Sequence, residues 1–166
     1  MTMLECLRPL DPGDTLIPLA AAGRQPLFFF GTLMDADILA FVLDRRVGPH
    51  ELAPASLAGF GRVGTRAGSY PVLVPARGTA VAGVLLHRAS RRDIARINHY
   101  ESEEYAAELR LVTTPAGRRP AWLFRGLDHL EADGVPWTLP AWQAGHKAGF
   151  LARCAGWMDD FVEPPA

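Results

Sequence analysis

Cysteine is nearly absent from this sequence. Cys6 and Cys154 are the only two among 166 residues, too few for a disulfide framework or a structural zinc site. Both read as plain thiols of a reducing compartment. Long hydrophobic runs are missing as well. No stretch reaches the roughly 18 apolar residues that a membrane helix requires; the longest apolar clusters are Leu27–Phe30 and Val81–Leu86. Asp11, Pro12, Gly13 and Asp14 interrupt the N-terminal run where a secretory signal would be continuous. A cytoplasmic location is therefore the expectation. An excess of charge is the third absence. Lys+Arg number 17 against 18 for Asp+Glu, a formal net charge of -1. Such a balance provides no basic field to hold a nucleic-acid backbone. Neither nucleic acid nor membrane is expected as a partner.

What the chain does hold is ordinary globular material. It is 49% hydrophobic and 21% charged, which argues against disorder. Its length supports one good core rather than two. Glycine (16) and proline (14) are abundant, so turns should be many and strands short. Residues 1–26 read as an N-terminal extension and 27–166 as one domain. Leu27–Phe30, bounded by Pro26 and Gly31, suits a buried strand. After the turn Gly31-Thr32-Leu33 a helix is expected over about 35–44, capped by Asp35 or Asp37, with Ile38, Leu39, Phe41 and Val42 on its apolar face.

Short strands are expected at 57–63, 70–74 and 81–87. A helical turn at 90–97 should open on a capping box of Ser90 and Asp93. Residues 105–114 alternate, with Tyr105, Ala107, Leu109 and Leu111 on one side and Glu108 and Arg110 on the other, the pattern of a half-buried strand. Pro115–Arg119 reads as a hairpin loop and 121–125 as the returning strand. Phe150, Leu151, Cys154, Trp157, Met158 and Phe161 trace a C-terminal helix face, with Trp142 in the turns before it. The fold class that follows is α+β.

Familiar catalytic signatures fail. The five histidines do not pair at helical spacing, and neither HExxH nor CxxC occurs. GxSxG is missing. Gly59-Phe60-Gly61-Arg62-Val63-Gly64 mimics a dinucleotide loop but lacks the strand-then-helix context. Neither metal nor cofactor is expected. Two segments remain. The bend Phe30-Gly31-Thr32-Leu33 is on spacing alone a plain strand–helix turn, yet successive N–H groups there are able to hold an anion. Asn98–Tyr105 carries Glu101, Glu103 and Glu104 between helix and strand. It reads as a solvated acidic loop, or as a loop turning one carboxylate into an apolar cavity to act as a general base.

Taken in order, these pieces resemble the gamma-glutamylcyclotransferase-like superfamily, and within it the AIG2-like branch. The likeness rests on Phe29-Phe30-Gly31-Thr32-Leu33-Met34, Leu57-Ala58-Gly59-Phe60, Tyr70-Pro71-Val72-Leu73-Val74-Pro75, Val81-Ala82-Gly83-Val84-Leu85 and Ile97-Asn98-His99-Tyr100-Glu101. An aromatic tail with Trp137, Trp142, Phe150, Cys154 and Phe161 adds to it. The resemblance implies a small, mostly antiparallel β-barrel with packed helices and a cavity at one end. It implies cofactor-free cyclisation of a γ-glutamyl amine or peptide to 5-oxoproline, with release of the amine. Glu101 would be the general acid/base, while Phe30, Gly31, Thr32, Leu33, Tyr70 and Pro71 would bind substrate. Four positions depart from the family's habit: Phe30 replaces tyrosine, Asn98 aspartate, Ser102 glycine, and Ala107 arginine. They keep open an alternative, a catalytically silent binding module for a small carboxylate or a protein partner. A hydrolase in which Glu101 activates water is a third option. The expected state is a monomer or a homodimer, with the C-terminal tryptophans read as core rather than dimer contact.

Overall fold

The computed structural model describes residues 16–66, 68, 70–101, 105–126 and 131–165. Cys6 and the breaker cluster at 11–14 lie outside them. So do Ser102, Glu103 and Glu104.

Among the described residues six strands form one sheet: β1 (Leu27–Phe29), β2 (Leu52–Thr65), β3 (Pro71–Leu86), β4 (Tyr105–Thr114), β5 (Gly117–Gly126) and β6 (Ala132–Pro136). The order is β3-β1-β5-β4-β2-β6, and β2 also pairs with β3. That last pairing closes β3, β1, β5, β4 and β2 into a barrel, with β6 on the edge of β2. Only β1 and β5 run parallel; the other pairings are antiparallel. Closure demands a close approach at Gly83, where any Cβ would overlap the Phe29 carbonyl. Two apolar layers result. Phe28, Phe30, Leu57, Leu85, Val112 and Leu123 fill the barrel. On the alternate face Leu27, Phe29, Trp122 and Phe124 pack under the helices.

Among the described residues four α-helices cover that outer face: α1 (Ala36–Leu43), α2 (Arg91–Glu101), α3 (Leu139–Gly145) and α4 (Lys147–Asp159). Asp35 caps α1 by accepting from the N–H groups of Asp37 and Ile38. It also meets Gln143 Nε2 at 2.8 Å and Lys147 Nζ at 2.9 Å, which ties α1 to α3 and α4. Burial works against its charge, but the bonds from Gln143, Lys147 and Ile38 outweigh that and hold its pKa below the usual value. The capping box expected at the start of α2 is present: Ser90 Oγ accepts from the Asp93 N–H, and Asp93 Oδ2 from the Ser90 N–H, both at 3.0 Å.

Several expectations need correction. The helical turn at 90–97 runs on to Glu101, so that residue ends a helix rather than standing in a loop. The strands expected at 70–74 and 81–87 are one strand, β3, whose residues 76–79 bulge out opposite Gly59. Helix α1 buries Ile38, Leu39, Val42 and Leu43 and leaves Phe41 exposed. Trp142 sits fully buried within α3, not in turns. Glu108 and Arg110 share the pairing face of Leu123 and Ala121, which points into the barrel. A closed barrel has no solvent face for them there, so Glu108 is buried and ion-paired. Strand β6 was not expected; most of its residues are exposed and show no alternation.

Candidate active site

A cavity of about 440 Å³ opens where the bend after β1 meets the start of β3, the end of α2 and one side of α4. That volume falls within the range of small-molecule sites. Phe30, Gly31, Thr32, Leu33, Tyr70, Pro71 and Glu101, all singled out from sequence, border it.

The bend owes its shape to the short β1. The strand ends at Phe29, and Thr32–Met34 form a 3₁₀ turn before Asp35 starts α1. Gly31 is required by proximity: a Cβ there would meet Pro71 Cγ at 3.1 Å and Cδ at 3.2 Å. Thr32 and Leu33 are buried. Among the described residues, no protein acceptor pairs with the N–H groups of Gly31, Thr32 or Leu33. The opposite wall comes from the end of α2. Ile94, Ile97 and Glu101 follow i, i+3, i+7 spacing, so Glu101 continues the face that buries the two isoleucines. Packing of those isoleucines thus brings half-buried Glu101 to the wall of the cavity.

Tyr100 bridges the two walls. Its hydroxyl hydrogen-bonds the Thr32 hydroxyl at 2.5 Å. Burial, helped by the nearby Glu101 charge, pushes the phenol well above its usual pKa, so it stays protonated. Tyr105 donates from its hydroxyl to the Pro71 carbonyl at 3.0 Å and meets the Tyr70 ring edge-on at 6.0 Å. Farther out, Phe150 contacts Tyr100 at 6.4 Å and Trp157 at 5.6 Å between ring centroids. The Trp157 carbonyl meets His99 Nε2 at 2.6 Å, which fastens α4 to the end of α2. Trp157 remains 45% exposed, at the rim. Sequence reasoning did not assign Tyr100, Tyr105, Phe150 or Trp157 to the site. Their aromatic character was visible, but only the fold shows which aromatic residues turn toward the bend.

Behind the bend lies Arg62, on β2. Its Nη1 donates to the carbonyls of Phe30 at 2.8 Å and Ala82 at 2.9 Å, and its Nε to that of Trp137 at 3.2 Å. The guanidinium also stacks over the Trp137 ring, 5.3 Å from its centroid. Burial pulls its pKa down from the usual value.

Residues 27–143 match the family described as Gamma-glutamyl cyclotransferase, AIG2-like. The chain belongs to that family. Solved structures agree at the level of fold. A solution structure of an Arabidopsis thaliana protein is similar at 21% identity over 85% of this chain and 95% of that one, with a TM-score of 0.57. The Bacillus subtilis protein YkqA shares 18% identity over 84% of this chain and 56% of its own, TM-score 0.54. A gamma-glutamyl cyclotransferase shares 12% over 86% of this chain and 90% of its own, TM-score 0.53. No curated protein matches closely enough to count as a relative. Helix α4, which supplies Phe150 and Trp157 to the cavity, lies beyond the family match.

One departure from the family's habit has a structural cause. Asn98 turns away from the cavity and clamps the segment before β1: its Oδ1 accepts from Ile17 N–H and its Nδ2 donates to the Ile17 carbonyl, both at 2.9 Å. An aspartate accepts but cannot donate, so it would leave that buried carbonyl unpaired. Asparagine at this position serves the anchoring of Ile17, itself 1% exposed. Among the described residues, no three His, Cys, Asp or Glu side chains gather as metal ligands. No helix of the described residues is long and apolar enough to cross a membrane.

Proposed function

We propose that this protein cyclises a γ-glutamyl amine or peptide to 5-oxoproline and releases the amine. The observation that carries the reading is that Glu101 and the Gly31 bend, distant in sequence, border one cavity. The substrate's α-carboxylate is held by the N–H groups of the bend, and its glutamyl chain lies along Tyr70 and Pro71. Glu101 takes a proton from the α-ammonium. The freed amine attacks the γ-carbonyl carbon, a ring C–N bond forms, and the original amide C–N bond breaks. Glu101 gives that proton to the leaving nitrogen and takes the second proton from the ring nitrogen, which ends on the released amine as its ammonium; the amine departs toward Phe150 and Trp157. No protein nucleophile enters the balance. Acid–base assistance of this kind is worth about 10²–10⁴-fold, and folding the substrate so that amine meets carbonyl contributes up to about 7–11 kcal/mol.

A screen of γ-glutamyl amides tests the reading by assaying both products. Equal amounts of 5-oxoproline and free amine support it. Free glutamate in place of 5-oxoproline would reassign Glu101 to water activation. Binding without release would favour the silent module that Phe30, Ser102 and Ala107 keep in view.

A further inference from the structure

The cavity's binding wall is a backbone feature, and backbone donors serve only if their peptide planes are turned the right way. Phe30 C=O and Gly31 N–H belong to the same peptide plane. In a trans peptide they point in opposite directions, and the described chain contains no cis bond. Whatever holds the Phe30 carbonyl therefore also aims the Gly31 N–H. Arg62 Nη1 is the group that holds it, at 2.8 Å, while its other bonds reach Ala82 and Trp137. One rigid guanidinium so joins the bend after β1, strand β3 and the segment after β6. Among the described residues no carboxylate pairs with Arg62; its acceptors are backbone carbonyls and the thioether of Met34. Among the described residues its positive charge enters no ion pair, and it bonds the peptide between two residues that line the cavity.

We propose that Arg62 is a positioning residue: by fixing the Phe30–Gly31 peptide and placing a positive charge behind it, it tunes the bend to bind the substrate's α-carboxylate. The inference rests on the proposed cyclotransferase reading and extends it to a residue that does not border the cavity. Lysine is no substitute here. A single ammonium on a flexible stem cannot span three carbonyls from one fixed plane.

The test uses Arg62→Lys and Arg62→Met, each checked for thermal melting, with 5-oxoproline and 2-pyrrolidinone as probes. The second probe is the first without its carboxylate. Loss of one charge-assisted contact is worth about tenfold in affinity. The expected result is KM for a γ-glutamyl amide raised about tenfold in Arg62→Met and less in Arg62→Lys, with kcat within about twofold. Binding of 5-oxoproline should weaken in parallel while that of 2-pyrrolidinone does not change. A merely structural arginine would lower the melting temperature and leave KM and the ratio of the two probes unchanged; that result overturns the proposal. So does a fall in kcat at constant KM. If wild-type protein releases 5-oxoproline but the variants match it in KM, this inference fails alone. If wild-type protein neither turns over γ-glutamyl amides nor binds 5-oxoproline, the functional reading fails and takes the inference with it.

Discussion

Glu101 closes α2 on the wall of an open cavity, whereas Glu108, early in the next strand, is shut inside the barrel between two arginines. Glu108 is 6% exposed. It bonds Arg110 Nη2 at 2.8 Å and faces Arg125 Nε at 3.6 Å. Both guanidinium groups also lie over the Phe60 ring, at 5.2 and 5.5 Å from its centroid. None of these residues lines the cavity that Glu101 borders. Glu101 is the less buried of the two, and it is the one that borders the cavity. Burial alone is thus no guide to which glutamate lies at the cavity; Glu108 is matched by cations inside the barrel, and half-buried Glu101 lines the hollow.

The comparison can be broken in order of effect. Glu101→Gln keeps the shape of the side chain and removes its basicity. It should cut 5-oxoproline release by about 10²–10⁴-fold, with thermal melting nearly unchanged. Glu108→Ala should do the reverse. Arg110 and Arg125 would lose their counter-charge, at a cost of about 2–3 kcal/mol, toward the low side for a broken buried pair because both arginines remain partly solvated. Chemical denaturation measures that loss, and turnover per folded molecule should stay near wild type. A glutamate that mattered equally in both assays would erase the distinction.

Gly31→Ala sharpens the comparison from the binding wall. The added Cβ would press on Pro71, so the bend must shift by a few tenths of an ångström. A cost of about 1–2 kcal/mol in stability follows from such overpacking, with a larger loss in KM than in kcat.

The smallest effect concerns Asp35, just after the bend. Its folded pKa lies below the usual 3.8. The stability it contributes is therefore complete above about pH 4 and is lost as pH falls through the lower folded value. Asp35→Asn still caps α1, but it gives up the ion pair to Lys147. It should cost about 1 kcal/mol at pH 7, and the gap to wild type should close on acidification below about pH 4. Denaturation midpoints measured from pH 7 to pH 3 follow it directly.

Much of the site was legible before the fold was known, because its parts are local. Pro26 and Gly31 bracket β1, Ser90 and Asp93 form a cap over three residues, and the bend and Glu101 each fall within a short motif. What escaped notice depends on closure. Glu108 looked outward because alternation in an isolated strand assumes one solvent face, and a barrel removes it. Asn98 looked like a defect in a motif until Ile17, far off in sequence, was found between its two polar atoms. Arg62 appeared only inside the rejected Gly59–Gly64 motif; its three carbonyl acceptors come from three segments far apart in sequence. Strand β6 left no apolar pattern because pairing with β2, not burial, holds it.

The central claim is that the carboxyl group at 101, and not the more deeply buried one at 108, does the chemistry. The direct measurement is the rate of 5-oxoproline formation from a γ-glutamyl amide by Glu101→Gln and Glu108→Gln, assayed side by side and corrected for the folded fraction of each. The account predicts near-complete loss in the first and near-wild-type rates in the second. Full turnover by Glu101→Gln would contradict it.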